Sequence, residues 1–255
     1  MTDQTRPSFR AALSNRTMQM TLGGFALIAA AAGTAFAVQA PAAVGPADKA
    51  AIEKIVHDYI LEHPEIIPQA VEKLQAKRMS GTIEAARSTL ETPYAGAWEG
   101  AANADVTVVE FFDYACGYCR ASLPDLAKLV GSDAKVKIVY RELPILSEES
   151  SDAAKVSLLA AERGQYMAYH KALYGAGKVT RDTIVAAAAK AGITRSEAES
   201  AIASSKYDAE IQSNIALAQK LQASGTPTFV IGDQVLNGAV GFDALKEGVA
   251  AARGK

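Results

Sequence analysis

Two cysteines, Cys116 and Cys119, are the residues of this chain whose type and spacing could do chemistry. They are the only cysteines among 255 residues, so any thiol reaction takes place here. They follow an apolar run, Val106 to Phe112, that predicts a buried strand, and they open a predicted helix. Unpaired amide groups and the helix dipole favour a thiolate at Cys116, and Cys119 lies one turn further along the same face.

Such a pair can close a small disulfide, resolve a mixed disulfide, or form half of a zinc site. Zinc usually takes four ligands, and His57, His63 and His170 show no ligand-like spacing to the thiols. A Cys-x-x-Cys pair beside a strand and helix is typical of redox proteins. The prediction is therefore a redox pair without a cofactor, in preference to a structural disulfide or a metal site.

Glu110 is out of place in the middle of the apolar strand. A buried carboxylate costs free energy unless it has a partner or a role. One interpretation is an edge position that faces water. The functional interpretation is a buried carboxyl near the thiols, whose raised pKa lets it pass a proton to or from Cys119. Asp113, by contrast, is predicted to form a turn.

The N-terminal residues 1–37 have the pattern of an export signal. A basic start is followed by the apolar stretch Met20 to Ala32 and by a small-x-small site, Ala35 to Ala37. An uncleaved membrane anchor is the alternative, because the run from Met20 to Val38 approaches a spanning length. Export would place the thiols in an oxidising compartment. The leader carries a net charge of +2 within a total of −2, so the remaining −4 argues against a nucleic-acid partner.

Residues 38–92 form a predicted helical segment ahead of the main domain, and the helical pattern from Ala47 to about Leu90 is predicted to be separate from the core. Asp48 is a suitable N-cap for a first helix, and His63-Pro64 predicts a break before a second one. The apolar stripes either pack on their own domain or bury one another between copies of the chain; the second interpretation is favoured because the linker Thr92 to Gly100 follows. The apolar positions are Ile52, Ile55, Val56, Tyr59, Ile60, Ile66, Ile67, Ala70, Val71 and Leu74.

The remaining chain, 93–255, alternates between strand and helix patterns. Lys135 to Glu142 predicts a second strand, and an Ala-rich helical insertion runs over about 147–220. Within the insertion Tyr166, Tyr169 and His170 are interpreted as packing and surface residues. A hairpin turning at Gly232-Asp233 and a helix over Phe242 to Ala251 complete the domain, and Pro227 opens the first hairpin strand, where a proline is often cis.

This order of elements resembles the thioredoxin fold in its DsbA-like form, an α/β fold with a helical insertion. The run Glu-Phe-Phe-Asp-Tyr-x-Cys-x-Tyr-Cys is similar to the start of that family's catalytic domain. The preceding Ile-Val-x-x-Tyr-Ile-Leu-Glu-His-Pro-Glu-Ile-Ile is similar to the N-terminal region of ScsC-like suppressor-of-copper-sensitivity proteins. The second resemblance implies a homo-oligomer, with a trimer as one option, and a role in copper tolerance.

The DsbA-like resemblance also implies roles for individual residues. Cys116 would attack, Cys119 would resolve, Pro227 would be the cis-proline facing the disulfide, and Thr226, Gly117 and Tyr118 would contact substrate. Gly117-Tyr118 is similar to the pair found in periplasmic isomerases. The expectation is therefore a periplasmic thiol:disulfide isomerase that acts on exported cysteine-containing clients and has a membrane redox partner. The alternatives are a dithiol oxidase and a protein that binds Cu(I) through Cys116 and Cys119.

Overall fold

The computed structural model describes residues 45–254. The predicted signal peptide, 1–37, and the start of the segment 38–92 lie outside the described residues. The chain divides into two units, Met1–Ile55 and Val56–Lys255. Within residues 45–254, no helix is both long and apolar enough to cross a membrane.

The core of the second unit is a mixed sheet with the strand order β1-β3-β2-β4-β5. The predicted strand over residues 106–112 is confirmed as the central strand, which pairs in parallel with β3 and antiparallel with β4. Both faces of this strand are covered, which explains why its sequence is apolar apart from Thr107 and Glu110. The strands are β1 Trp98–Gly100, β2 Val106–Phe112, β3 Val136–Glu142, β4 Thr228–Ile231 and β5 Gln234–Asn237.

Helices cover the two faces of the sheet and fill the insertion between β3 and β4. The thiol helix follows the central strand, as expected, and the insertion consists of five helices between residues 148 and 220. The predicted α/β fold with a helical insertion is therefore confirmed. The helices are α1 Pro46–Glu62, α2 Ile66–Glu91, α3 Gly117–Ser132, α4 Glu148–Glu162, α5 Tyr166–Gly175, α6 Arg181–Lys190, α7 Arg195–Ala203, α8 Asp208–Lys220 and α9 Gly241–Arg253.

One hydrophobic cluster joins the inner face of the sheet to α3, α9 and the insertion. Its centre is aromatic: the rings of Phe112 and Tyr140 pack against His170, with centroids 5.1 and 4.7 Å from the imidazole. Tyr166, Tyr169 and His170 are all buried here. The expectation that some of them lie on the surface is wrong, because α5 turns this face onto the sheet.

The opposite cluster contains the second half of α2. Ile83 and Leu90 are each 1% exposed and join Val109 and Phe111 from the outer face of β2. The expectation that the whole stretch from residue 47 to residue 90 is separate from the core is therefore wrong for its last third. The part expected to be a linker, residues 92–100, also contains β1, which pairs with β3.

Two arginines fix α2 to the domain. Arg141 on β3 is buried and donates to the carbonyl oxygens of Thr89, Leu90 and Thr92 at the end of α2. Arg87 on α2 reaches the turn between β4 and β5, where its Nη2 lies 2.6 Å from a carboxylate oxygen of Asp233. The bonds from Arg141 satisfy carbonyl groups that the end of a helix leaves without intrahelical partners.

The start of α2 and the whole of α1 contain no buried residue. α1 ends at Glu62 and α2 begins at Ile66, so a break falls at the predicted position, His63-Pro64. Large apolar side chains in both helices are between 47% and 67% exposed. They are Ile52, Ile55, Val56, Tyr59, Leu61, Ile67, Val71 and Leu74, and we call them the apolar stripe.

Candidate active site

A tight turn, Asp113 to Cys116, carries the chain from the central strand into α3. The Cys116 amide donates to the Asp113 carbonyl at 3.0 Å, and Cys116 is the N-cap of α3. The buried Asp113 carboxylate organises the surroundings by accepting four hydrogen bonds. Its donors are the amides of Ala115, Ile145 and Leu146, at 2.8, 2.9 and 3.0 Å, and the Ser150 hydroxyl, at 2.7 Å. The turn role expected for Asp113 therefore extends to the loop between β3 and α4.

The two thiols differ in access to solvent. Cys116 is 6% exposed and Cys119 is 0% exposed, and both are free thiols. Cys116 lies at the helix terminus, as expected, but it is covered on one side by the loop before β4. The peptide bond between Thr226 and Pro227 in that loop is cis, and the Cys116 Sγ donates to the Thr226 carbonyl at 3.2 Å. What contact with solvent remains belongs to Cys116, so a second molecule meets this sulfur first.

Cys119 lies behind Cys116 in an apolar environment. Burial, and next the negative charge of Glu110, raise the pKa of the Cys119 thiol well above its ordinary value. A buried thiolate without a cation is costly, so Cys119 stays protonated until a neighbouring group takes its proton.

Glu110 is the carboxyl that electrostatics couples to both thiols. It is 1% exposed on the central strand, so the alternative of an edge position facing water is excluded. Burial raises its pKa to about 8, with further contributions from the charges of Glu99 and Cys116. Its Oε2 is buried without a hydrogen-bond partner. A carboxyl that titrates near neutral pH beside a thiol of raised pKa can exchange a proton with that thiol.

The rim of the site is apolar. Tyr118, between the two cysteines, is 71% exposed, and Gly117 beside it is also exposed. Ile145 and Leu146 are 50% and 53% exposed, and Asp113 holds their amides next to the thiol turn. Outside the apolar stripe, these three are the exposed large hydrophobic residues found between residues 45 and 254.

Several residues of this region were missed in the sequence. Tyr114 is buried, and its hydroxyl lies 2.8 Å from the Ser157 hydroxyl and 3.1 Å from the His170 Nδ1. Glu99 accepts a hydrogen bond from the Tyr140 hydroxyl, although it belongs to the stretch expected to be a linker. No sequence pattern pointed to these contacts, because each partner comes from a distant element.

The model of the DSBA-like thioredoxin domain family matches residues 107–250. This is more than half of the chain, so the chain belongs to that family of thiol-disulfide oxidoreductases. A second model, the Copper resistance protein ScsC N-terminal domain, matches residues 48–79. The matched stretch covers most of α1 and the first half of α2, which confirms the resemblance seen in the sequence.

This chain matches several solved structures over nearly the whole length of those structures. A thioredoxin-like oxidoreductase from Silicibacter pomeroyi is 39% identical (TM-score 0.63, covering 66% of this chain and 98% of that one). A linker-deletion mutant of Proteus mirabilis ScsC is 26% identical (0.64, 84% and 99%). The thiol-disulfide exchange protein alpha-DsbA2 from Wolbachia pipientis is also 26% identical (0.63, 70% and 97%).

The curated relatives are much longer than this chain. A Na(+)/H(+) antiporter, NhaA 3 of Salinispora tropica, is 27% identical over 156 residues, which are 60% of this chain and 24% of the antiporter. The chain thus spans about a quarter of the length of such relatives, and their name says nothing about its own activity.

Proposed function

We propose that this protein exchanges disulfides with cysteine-containing client proteins, and that isomerisation is its main reaction. The observation that supports this proposal best is the position of the Cys116 sulfur. It lies at the start of α3, 3.2 Å from the Thr226 carbonyl of the cis-proline loop, with Cys119 buried behind it. The Cys116 sulfur is the more accessible of the two and the Cys119 sulfur is fully buried. A two-step exchange requires this arrangement, because the first sulfur reacts with the client and the second reacts with the first.

In the first step the Cys116 thiolate attacks one sulfur of a client disulfide. A mixed disulfide forms, and the other client sulfur leaves as a thiolate. In isomerisation, a second client thiolate then attacks the client sulfur of the mixed disulfide, which restores the Cys116 thiolate. If no client thiol arrives, Cys119 loses its proton and attacks the Cys116 sulfur, and the client leaves reduced.

Glu110 handles the proton of the buried thiol in this proposal. A carboxyl with a pKa of about 8 is protonated in most molecules at neutral pH. When a client thiolate attacks Cys116 of the Cys116–Cys119 disulfide, Cys119 leaves as a thiolate, and protonated Glu110 can give it a proton. In the reverse direction, the ionised form of Glu110 can take that proton when Cys119 attacks. The buried amide of a glutamine would fill the same space without this exchange.

The client is proposed to be an exported polypeptide that is incompletely folded. Tyr118, Ile145 and Leu146 form an exposed apolar rim around Cys116, and such a rim fits apolar segments that a folded protein hides. Thr226 is half-buried beside the Cys116 sulfur, and its backbone is proposed to form a hydrogen bond with the client. Periplasmic location and a membrane redox partner belong to the same proposal, which the predicted signal at residues 1–37 supports.

The apolar stripe is proposed to bury itself between copies of the chain. A stripe of eight large apolar side chains, each about half exposed or more, is unusual for a monomer. The match of residues 48–79 to the ScsC N-terminal domain lies on the same helices. Linked copies present several thiol sites to one client, which raises their effective concentration. Sedimentation of wild type and of Val71→Glu tests this assembly, and a monomeric wild type would contradict it.

The activity itself is tested with insulin reduction and with recovery of a scrambled multi-disulfide substrate. We expect both from wild type, neither from Cys116→Ser, and the second in reduced measure from Val71→Glu. If Val71→Glu recovered scrambled substrate at the wild-type rate, isomerisation would not depend on assembly of the chain. Failure of wild type in both assays would refute the proposed function.

Cu(I) binding is a second candidate, which the match to a copper resistance protein favours. Among the described residues, no group of three or more His, Cys, Asp or Glu side chains could hold a metal. Cys116 and Cys119 alone would have to bind the ion, as two soft ligands. Titration of the reduced protein with Cu(I) against a competing chelator tests this candidate, and it fails if the chelator keeps all of the copper.

A further inference from the structure

Glu110 faces several titratable groups, and none of them is a cation. They come from β1, α3, β3 and α5. On α5, burial keeps His170 neutral by lowering its pKa to about 3. Burial raises the pKa of Glu142 well above its ordinary value. The facing groups are Glu99 on β1, Cys116 at the start of α3 and Cys119 within it, Tyr140 and Glu142 on β3, and Tyr166, His170 and Tyr174 on α5.

Glu99 differs from these buried groups because it reaches solvent. It lies on β1, opposite Ile138 of β3, and the register between β3 and β2 places Tyr140 beside Glu110. Since side chains alternate between faces along a strand, Glu99, Tyr140 and Glu110 share the inner face. Glu99 is only half-buried, whereas Tyr140 is 2% exposed.

The Tyr140 hydroxyl holds the Glu99 carboxylate in place by donating a hydrogen bond to its Oε1. A fixed negative charge near a second carboxyl disfavours ionisation of the second one. After burial, the charge of Glu99 is the largest contribution that raises the pKa of Glu110. The position of Glu99 and the electrostatics therefore both indicate that Glu99 raises the pKa of Glu110.

We propose that Glu99 is a positioning residue of the thiol site: its charge, held on the inner face of the sheet by Tyr140, keeps Glu110 protonated at neutral pH, so that Glu110 can give its proton to Cys119 when Cys119 leaves the Cys116–Cys119 disulfide as a thiolate. The benefit of a protonated Glu110 rests on the proposed function, but the effect of Glu99 on Glu110 can be measured without it. Glu99 does not touch the sulfur atoms or a client; it acts through Glu110.

The test is a direct titration of the Glu110 carboxyl in the reduced full chain. The infrared band of a protonated carboxyl is followed against pH, and Glu110→Gln identifies the band by its loss. In Glu99→Gln, which keeps an acceptor for Tyr140, we expect the midpoint to fall by about 0.5–1 pH unit. Tyr140→Phe, which releases Glu99, should move the midpoint in the same direction. Glu199→Gln on α7 is the matched control and should leave it unchanged.

An activity profile completes the test. If the protein exchanges disulfides, its pH dependence should shift downward in Glu99→Gln by the same interval as the carboxyl midpoint. An unchanged midpoint in Glu99→Gln and in Tyr140→Phe, both folded, overturns the role of Glu99. A shifted midpoint in a protein that exchanges no disulfides supports the electrostatic role and refutes the proposed function instead, so the two failures are distinguishable.

Discussion

Replacing Leu90 by alanine should destabilise the catalytic domain although Leu90 lies in a helix that begins as an exposed stalk. The Leu90 side chain is 1% exposed and belongs to the cluster on the outer face of β2. Its carbonyl is held by Arg141, so the backbone has little freedom to move into the space left by the lost methyl groups. A buried Leu→Ala change at a site that cannot relax costs about 3–5 kcal/mol.

The matched control is Leu74→Ala, sixteen positions earlier in the same helix. Leu74 is 47% exposed, so its truncation should change the unfolding free energy of the domain by about 0.5 kcal/mol or less. Both variants exchange leucine for alanine within α2, so their helix propensities are matched. The difference between them measures burial alone.

Urea unfolding followed by tryptophan fluorescence is a suitable assay. The single tryptophan, Trp98, packs against the same cluster as Leu90, so it reports the unfolding of that region. With a slope of about 2–3 kcal/mol per molar urea, Leu90→Ala should lower the midpoint by about 1–2.5 M. The measurement is made where the midpoint does not depend on protein concentration. Equal midpoints for the two variants would refute the claim that the end of α2 is part of the domain core.

Three further outcomes are expected. Cys119→Ser should accumulate a mixed disulfide with client through Cys116, whereas Cys116→Ser should not; equal adduct yields on a denaturing gel would show that the roles are reversed. Because the pKa of Glu110 is about 8 in the folded chain against 4.5 ordinarily, the folded chain binds the extra proton and wild type loses stability as pH rises from about 4.5 to 8, by up to about 1.4 kcal/mol per pH unit. Glu110→Gln should flatten this slope in urea midpoints measured across the range, and an unchanged slope contradicts the assignment. Arg141→Met leaves Glu210 and the end of α2 without a donor and should cost about 3–5 kcal/mol in the same unfolding assay; no change would show that Arg141 does not anchor α2.

The sequence was sufficient for the features that depend on neighbouring residues. The strand before Cys116, the helix after it and the hairpin opened by Pro227 all follow from short patterns of polarity and turn residues. Glu110 was noticeable because a carboxylate interrupts an apolar strand. In each case the signal and the structure lie within a dozen residues of each other.

Features made by distant partners were not readable in this way. The end of α2 contains Glu84, Arg87 and Glu91, so it reads as a solvated helix, and only the sheet beneath it decides that Ile83 and Leu90 are buried. The covering of Cys116 depends on a loop 110 residues later. Glu99 gained its place through pairing of β1 with β3, which no local pattern predicts.

The continuity of α2 has a mechanical consequence. At about 100° of rotation per residue, Ile67, Val71 and Leu74 lie about 140° around the helix from Ile83 and Leu90. One continuous helix therefore carries both sets: its C-terminal end is fixed in the domain through Ile83 and Leu90, and its N-terminal end presents Ile67, Val71 and Leu74 to solvent. A single residue inserted near position 78 would leave both sets of side chains intact, yet it would turn one relative to the other by about 100°. The number of residues between these two sets on α2 thus sets the direction in which Ile67, Val71 and Leu74 point relative to the thiol site.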